Sequence, residues 1–170
     1  MGYRLQARQV RRALFALAGM VLHCWALSAQ AGNMTLVIDG IAAPIDIRAF
    51  SLGASSSGTV ISAGKVSYQD VSFSALESAA SPQQLLFTSN GVHRASAVLK
   101  IFSPATGLLL SDWTFTDLIV SSFQIGNDPT GAATSFSLNF AKLSYRVYAA
   151  NGSTVAQQMC WNVVTSVSTC

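Results

Sequence analysis

The sequence predicts a mainly antiparallel β protein, a small barrel or sandwich with one short flanking α-helix. Three observations lead there. Most of the chain after residue 33 alternates apolar with small or polar residues in short runs, and Gly, Pro, Asn, Asp and Ser clusters separate those runs. One segment alone carries helix start and stop signals. Beyond an N-terminal leader about 139 residues remain, enough for one domain with its own core.

The elements follow in chain order. Residues 1–31 read as a secretory signal peptide. Arg4, Arg8, Arg11 and Arg12 form a basic start, and Ala13 to Ala29 is an apolar run shorter than the ~20 residues a membrane-spanning helix prefers. Ala29-Gln30-Ala31 then offers small residues at the two positions a signal peptidase checks. An uncleaved membrane anchor fits less well, because His23 interrupts the run. The remaining 32–170 form the single domain, with no stable membrane insertion after cleavage. Export to the periplasm or the medium is the expected destination.

Met34 to Asp39 reads as a first strand ended by Gly40, and Ile45 to Leu52 as a second. Gly53 to Thr59 is small and polar and reads as a loop. Lys65 to Leu76 alternates around Val66, Tyr68, Val71 and Phe73, with a slip near Asp70 that predicts a bulge. Ser81-Pro82-Gln83-Gln84 has the form of a capping box, with Ser81 as N-cap, Pro82 at the first helical position and Gln84 reaching back. Leu85, Leu86 and Phe87 supply the helix's apolar face, and Asn90-Gly91 supplies its stop.

Arg94 to Phe102 is a regular strand with Ala95, Ala97, Leu99 and Ile101 on one side, and Ser103 to Gly107 is a turn. Leu108 to Phe115 and Asp117 to Ile125 read as two strands or one long bent one, followed by an exposed loop from Gly126 to Gly131. Ser135 to Tyr148 carries Phe136, Leu138 and Phe140 in one phase and Leu143, Tyr145 and Val147 in the other. A switch near Ala141 predicts a bulge or a strand covered on both faces. Asn151-Gly152 reads as a two-residue hairpin turn into a last strand from Val155 to about Val164. The sum is about seven or eight strands and one helix.

Charge and chemistry narrow the function. The chain has ten Lys and Arg against seven Asp and Glu. The leader holds four of the basic residues and none of the acidic ones, so the domain carries a net charge near −1. Its basic residues stand apart, which argues against nucleic acid. Few charges and many Ser, Thr, Ala and Gly suit either a surface covered by other subunits or a poorly charged secreted domain. Catalysis lacks partners: His93 is the domain's only histidine, no serine lies in G-x-S-x-G, and the carboxylates are scattered. No zinc spacing, calcium loop or phosphate-binding glycine loop is present. No catalytic, cofactor or metal site is assigned, and Trp113 and Trp161 read as packing residues. Cys24 leaves with the leader, so Cys160 and Cys170 are an even pair in an exported chain and a candidate disulfide. Free thiols, or an intermolecular bridge through Cys170, are the alternatives.

Several strings in order resemble the Hcp family, the haemolysin-coregulated proteins of type VI secretion systems. They are Gly64-Lys-Val-Ser-Tyr-Gln-Asp-Val-Ser-Phe73, Ala80-Ser-Pro82 with Leu85, Gly91-Val-His93, Leu118-Ile-Val-Ser-Ser122 and Ser137-Leu-Asn-Phe-Ala-Lys142 with Tyr145. Asp39-Gly40-Ile41, Ser51-Leu-Gly-Ala54 and Trp161-Asn162 fall in the same order. The resemblance spans about residues 34–164. It implies a small antiparallel β-barrel with one flanking helix and self-assembly into a six-membered ring able to stack into a tube. Type VI effectors, spike and sheath proteins are the implied partners, and the implied role is structural. Two features depart from the family pattern: the leader, since family members leave through their own apparatus, and the Cys160/Cys170 pair.

Overall fold

The protein's structure is a computed structural model that describes residues 33–58, 64–129 and 131–170. The expected leader, with Ala29 and Ala31, lies outside the described residues. In chain order the elements are β1 (Met34–Ile38), β2 (Ile45–Ser51), β3 (Ala54–Ser56), β4 (Val66–Tyr68), β5 (Val71–Leu76), α1 (Ser81–Asn90), β6 (Arg94–Phe102), β7 (Leu109–Asp128), β8 (Gly131–Tyr148) and β9 (Val155–Asn162).

Six strands close an antiparallel barrel in the order β5-β2-β1-β6-β7-β8, with β8 returning to β5. Closure removes the open edges that a flat sheet of this composition would expose. The long strand β8 makes it work. Along its first half, residues 133–138 pair with β7 on one side and β5 on the other. Along its second half, residues 142–147 keep β7 but exchange β5 for β9. The barrel is therefore shut by half of β8, and the other half carries β9 as an outer flap.

Alternation decides which side chains fill the barrel. Leu36 and Ile38, Ile45 and Ile47, Val71, Phe73 and Ala75, and Ala97 and Leu99 are all buried at every second position of their strands. Burying each of Phe73, Phe115 and Phe136 contributes roughly 2–3 kcal/mol. One row across four strands is aromatic throughout: Phe50 pairs with Phe73, Phe73 with Phe136, and Phe136 with Phe123. Phe73 and Phe136 stack at 5.2 Å.

Several expectations are corrected. The segment from Lys65 to Leu76 is two strands, because Gln69 turns back to donate its backbone N–H to Gly53 at 2.9 Å. That turn draws Ala54–Ser56 into pairing with Val66–Tyr68, so part of the expected 53–59 loop is a strand. The expected loop at 126–131 is the tip of a long hairpin, with β7 and β8 paired as far as Asp128 and Gly131. The turn after β8 is longer than two residues. Asn151 Oδ1 accepts from the N–H groups of Ser153 and Thr154, both at 3.0 Å, and closes a six-residue loop between Ala149 and Thr154. The last strand ends at Asn162 rather than near Val164.

The helix forms where expected and stops at Gly91 in the left-handed conformation, φ 61°. Its start differs from the capping box. Ala80 is the N-cap and Ser81 already helical, and the Ser81 hydroxyl accepts from Ser78 N–H at 3.0 Å, one turn too early to serve Gln84. Gln84 instead points inward, 1% exposed, with neither amide atom hydrogen-bonded. The buried side is Ser81, Gln84 and Phe87, which leaves Leu85 and Leu86 half exposed, not packed as their apolarity predicts. Phe87 anchors the helix under Arg94, whose guanidinium lies 3.6 Å above the ring. Gly40, at φ 82°, closes this corner; a Cβ there would meet Arg94 Nη1 at 2.6 Å.

Candidate functional site

The chemistry-bearing side chains gather where β7 and β8 depart from regular alternation. On one side of the departure Phe115 and Leu143 face inward, and on the other Leu118, Phe140, Val120 and Leu138 do. The pairing register is the same on both sides, from Ser111↔Val147 to Val120↔Leu138. Both strands therefore change phase together. Asp117 is the cause, a non-glycine residue at φ 53° within a strand, lying opposite Ala141. The switch read from the sequence near Ala141 is this paired kink.

Asp117 Oδ1 lies 3.1 Å from His93 Nδ1. Both side chains are well over half exposed, so the pair contributes only tenths of a kcal/mol, about the value of an exposed ion pair. Close by, Asp70 organises a second irregularity. The register shifts between Val120 and Ser122; Ser121 donates its hydroxyl to Asp70 Oδ2 at 2.5 Å, and Asn139 Nδ2 donates to Oδ1 at 2.7 Å. One carboxylate thus ties the β4–β5 link to the bulge in β7 and to β8. Between His93, Asp117, Tyr68, Gln69, Asn139 and Phe140 lies a cleft of about 310 Å³, bounded further by Ala141, Val163 and Val164. Ser121 spends its proton on Asp70 and His93 pairs with Asp117, so the two polar groups are separate pairs and not a relay from serine to histidine.

A third cluster sits on β7 and β8. Asp112, 2% exposed, accepts from Arg146 Nε at 2.8 Å, from its Nη2 at 2.5 Å, and from the Tyr148 hydroxyl at 2.8 Å. The bidentate geometry is the strong form of this contact. The hydrogen bond to Asp112 raises the Arg146 pKa above its ordinary value, while burial, followed by the bond to Asp112, raises that of Tyr148 above its ordinary 10.0.

On the outer side of the aromatic row lies a hydroxyl surface. Ser51, Ser72, Ser137 and Ser122 form one straight row across β2, β5, β8 and β7, with Ala49, Ser74, Ser135 and Gln124 alongside. Ser72 and Ser137 share a hydrogen bond of 2.9 Å. The two rows line a shallow depression of about 410 Å³ without a charged residue.

Cys160 and Cys170 are joined, with Cα atoms 5.1 Å apart. Trp113 stacks on Tyr145 at 3.9 Å and meets Phe50 edge-on, a packing role. Among the described residues no three His, Cys, Asp or Glu side chains gather as a metal site, and no helix is long and apolar enough to cross a membrane. The sequence reading missed the Asp70 and Asp112 clusters. The only signal for Asp112 is an aspartate within a strand, between Ser111 and Trp113, and its partner Arg146 lies 34 residues on.

A family model described as "Type VI secretion system effector, Hcp" matches residues 34–147. Among solved structures, Hcp1 from Salmonella typhimurium is similar with a TM-score of 0.69 at 20% identity, over 80% of this chain and 97% of that one. A type VI secretion system effector from Yersinia pestis gives 0.65 at 20% identity, over 76% and 99%. A structure described as a type six secretion system protein gives 0.71 at 15% identity, over 82% and 100%. No curated protein matches the sequence. At these identities the likeness is one of fold.

Proposed function

The chain belongs to the Hcp family of type VI secretion systems, and from that premise we propose that it is a structural tube protein. In this reading it assembles with copies of itself into six-membered rings, able to stack, and works with type VI effectors, spike and sheath proteins by assembly and transport rather than by catalysis. The carrying observation is the match of the family over residues 34–147, which takes in seven of the nine strands whole together with nearly all of β8. Support also comes from a surface poor in charge with half-exposed Leu85, Leu86, Leu110 and Ile125, residues that gain by being covered.

The leader at 1–31, cleaved after Ala31, is part of the proposal, as is a final location in the periplasm or the medium. A pair of cysteines bonded as Cys160 and Cys170 are suits an oxidising compartment. Native mass spectrometry of the exported protein tests both parts. The expected result is a hexamer of chains beginning at Gly32. A monomer at every concentration would overturn the ring. Secretion unaffected by loss of the type VI sheath would instead favour an exported Hcp-like interaction module that takes no part in injection.

A further inference from the structure

The segment after β9 is held in place by little except its covalent bond. None of residues 163–170 is buried; of them only Val163 packs against the core, and Val164 and Val167 are 77% and 48% exposed, so apolar burial fixes the segment weakly. Its hydrogen bonds are mostly internal and local: Asn162 N–H to Val167 O at 2.9 Å, Asn162 Oδ1 from the N–H groups of Val164 and Thr165, and the Ser168 hydroxyl to Cys160 O at 3.1 Å. Ser166 holds a left-handed backbone, φ 56°, which a serine adopts at a cost. Among the described residues a single backbone bond reaches the barrel from this segment, Val163 N–H to Ala141 O at 2.8 Å.

That one bond lands at a particular place. Ala141 is the residue opposite Asp117, where β7 and β8 change phase together, and Val163 and Val164 line the cleft beside His93 and Asp117. We propose that the Cys160–Cys170 bond is a redox strap: oxidation seats residues 163–170 against Ala141 and along the cleft, and reduction by a dithiol releases them and widens it. The inference is independent of ring assembly.

The exchange chemistry fits the two environments. Cys170 is exposed and Cys160 is 5% exposed. A thiolate of the reductant attacks Cys170 Sγ, forming a mixed disulfide and expelling Cys160 as thiolate. Gln158 Nε2, 3.4 Å from Cys160 Sγ, donates toward the sulfur on which that charge appears. The reductant's second thiol then closes on its own sulfur and frees Cys170. Two electrons and two protons pass to the cysteines, and the reductant leaves as a cyclic disulfide.

Amide hydrogen exchange on the full chain, before and after dithiothreitol treatment without denaturant, tests this, with alkylation showing two added thiols. Exchange at Val163 is expected to speed up at least about tenfold, while Leu99 in the barrel stays protected. The Cys160→Ala/Cys170→Ala double variant should match the reduced protein. Unchanged exchange at Val163 in the fully reduced chain overturns the strap. So does loss of protection at Leu99 alongside Val163, because the bond would then hold up the whole barrel. Gln158→Leu is expected to slow reduction severalfold, and an unchanged rate removes Gln158 from the exchange step.

Discussion

Two buried polar residues set opposite expectations for mutation. Gln84 is enclosed with both amide atoms unpaired, a state that costs about 1–3 kcal/mol. Gln84→Met keeps the volume and removes the polar atoms, so urea unfolding should show a gain of about 1–2 kcal/mol. Asp112 is fully paired, and Asp112→Ala strands Arg146 and Tyr148. Because the Arg146 side chain keeps 37% exposure, water compensates part of the loss, and the cost should be about 2 kcal/mol. The same cluster sets a pH dependence. Tyr148 has a folded pKa above its unfolded value near 10.0, so its contribution is complete below that pH and is lost as pH rises through the folded value. Thermal melts from pH 8 to 11 should show an alkaline decline that is shallower in the Asp112 variant. Neither Gln84 nor Asp112 was legible as such. A glutamine three residues after a serine reads as a cap until the loop before it claims the serine hydroxyl. An aspartate 34 residues from its arginine gives no local sign of the pair.

At the level of elements, the kink at Asp117 separates what periodicity can show from what it cannot. Alternation located the phase change in β8 from Phe140 and Leu143 alone, because burial imposes a period of two on each strand. It could not say that β7 changes phase at the same point with the register intact, since that depends on one backbone angle. Asp117→Val places a β-branched side chain at positive φ and should destabilise by about 1–2 kcal/mol or more, whereas Asp117→Gly should be near neutral or better in the same urea titration. Equal losses in both would mean that the His93 contact, and not the backbone, sets the requirement. The small sheet of β3 and β4 was missed for a related reason. β4 carries Val66 and Tyr68, but its partner β3 is Ala54-Ser55-Ser56 with little apolar signal, and the pairing is set by a backbone bond from Gln69 to Gly53.

At the scale of the whole molecule, the fold class was legible because most strands carry their own alternation and the turns carry Gly, Asn and Pro. How the strands close was not, since β5 meets β8 across about 65 residues of chain and nothing local announces that meeting. In the ring reading, contacts rest on apolar and neutral residues of a domain with net charge near −1. Light scattering should therefore report the same assembly at about 0.05 M and 0.5 M salt, and dissociation at high salt would mean that charge pairs hold it. The closing seam itself has a further consequence. Ser72-Phe73-Ser74 lies antiparallel to Ser135-Phe136-Ser137, so the two strings mirror each other across the seam. A slip of one residue would turn phenyl rings to water and hydroxyls to the core on that strand, and a slip of two would set Phe73 against Thr134 or Leu138 and part it from Phe136. The seam thus rejects the nearest wrong alignments at the step where a chain of distant partners is most prone to accept them.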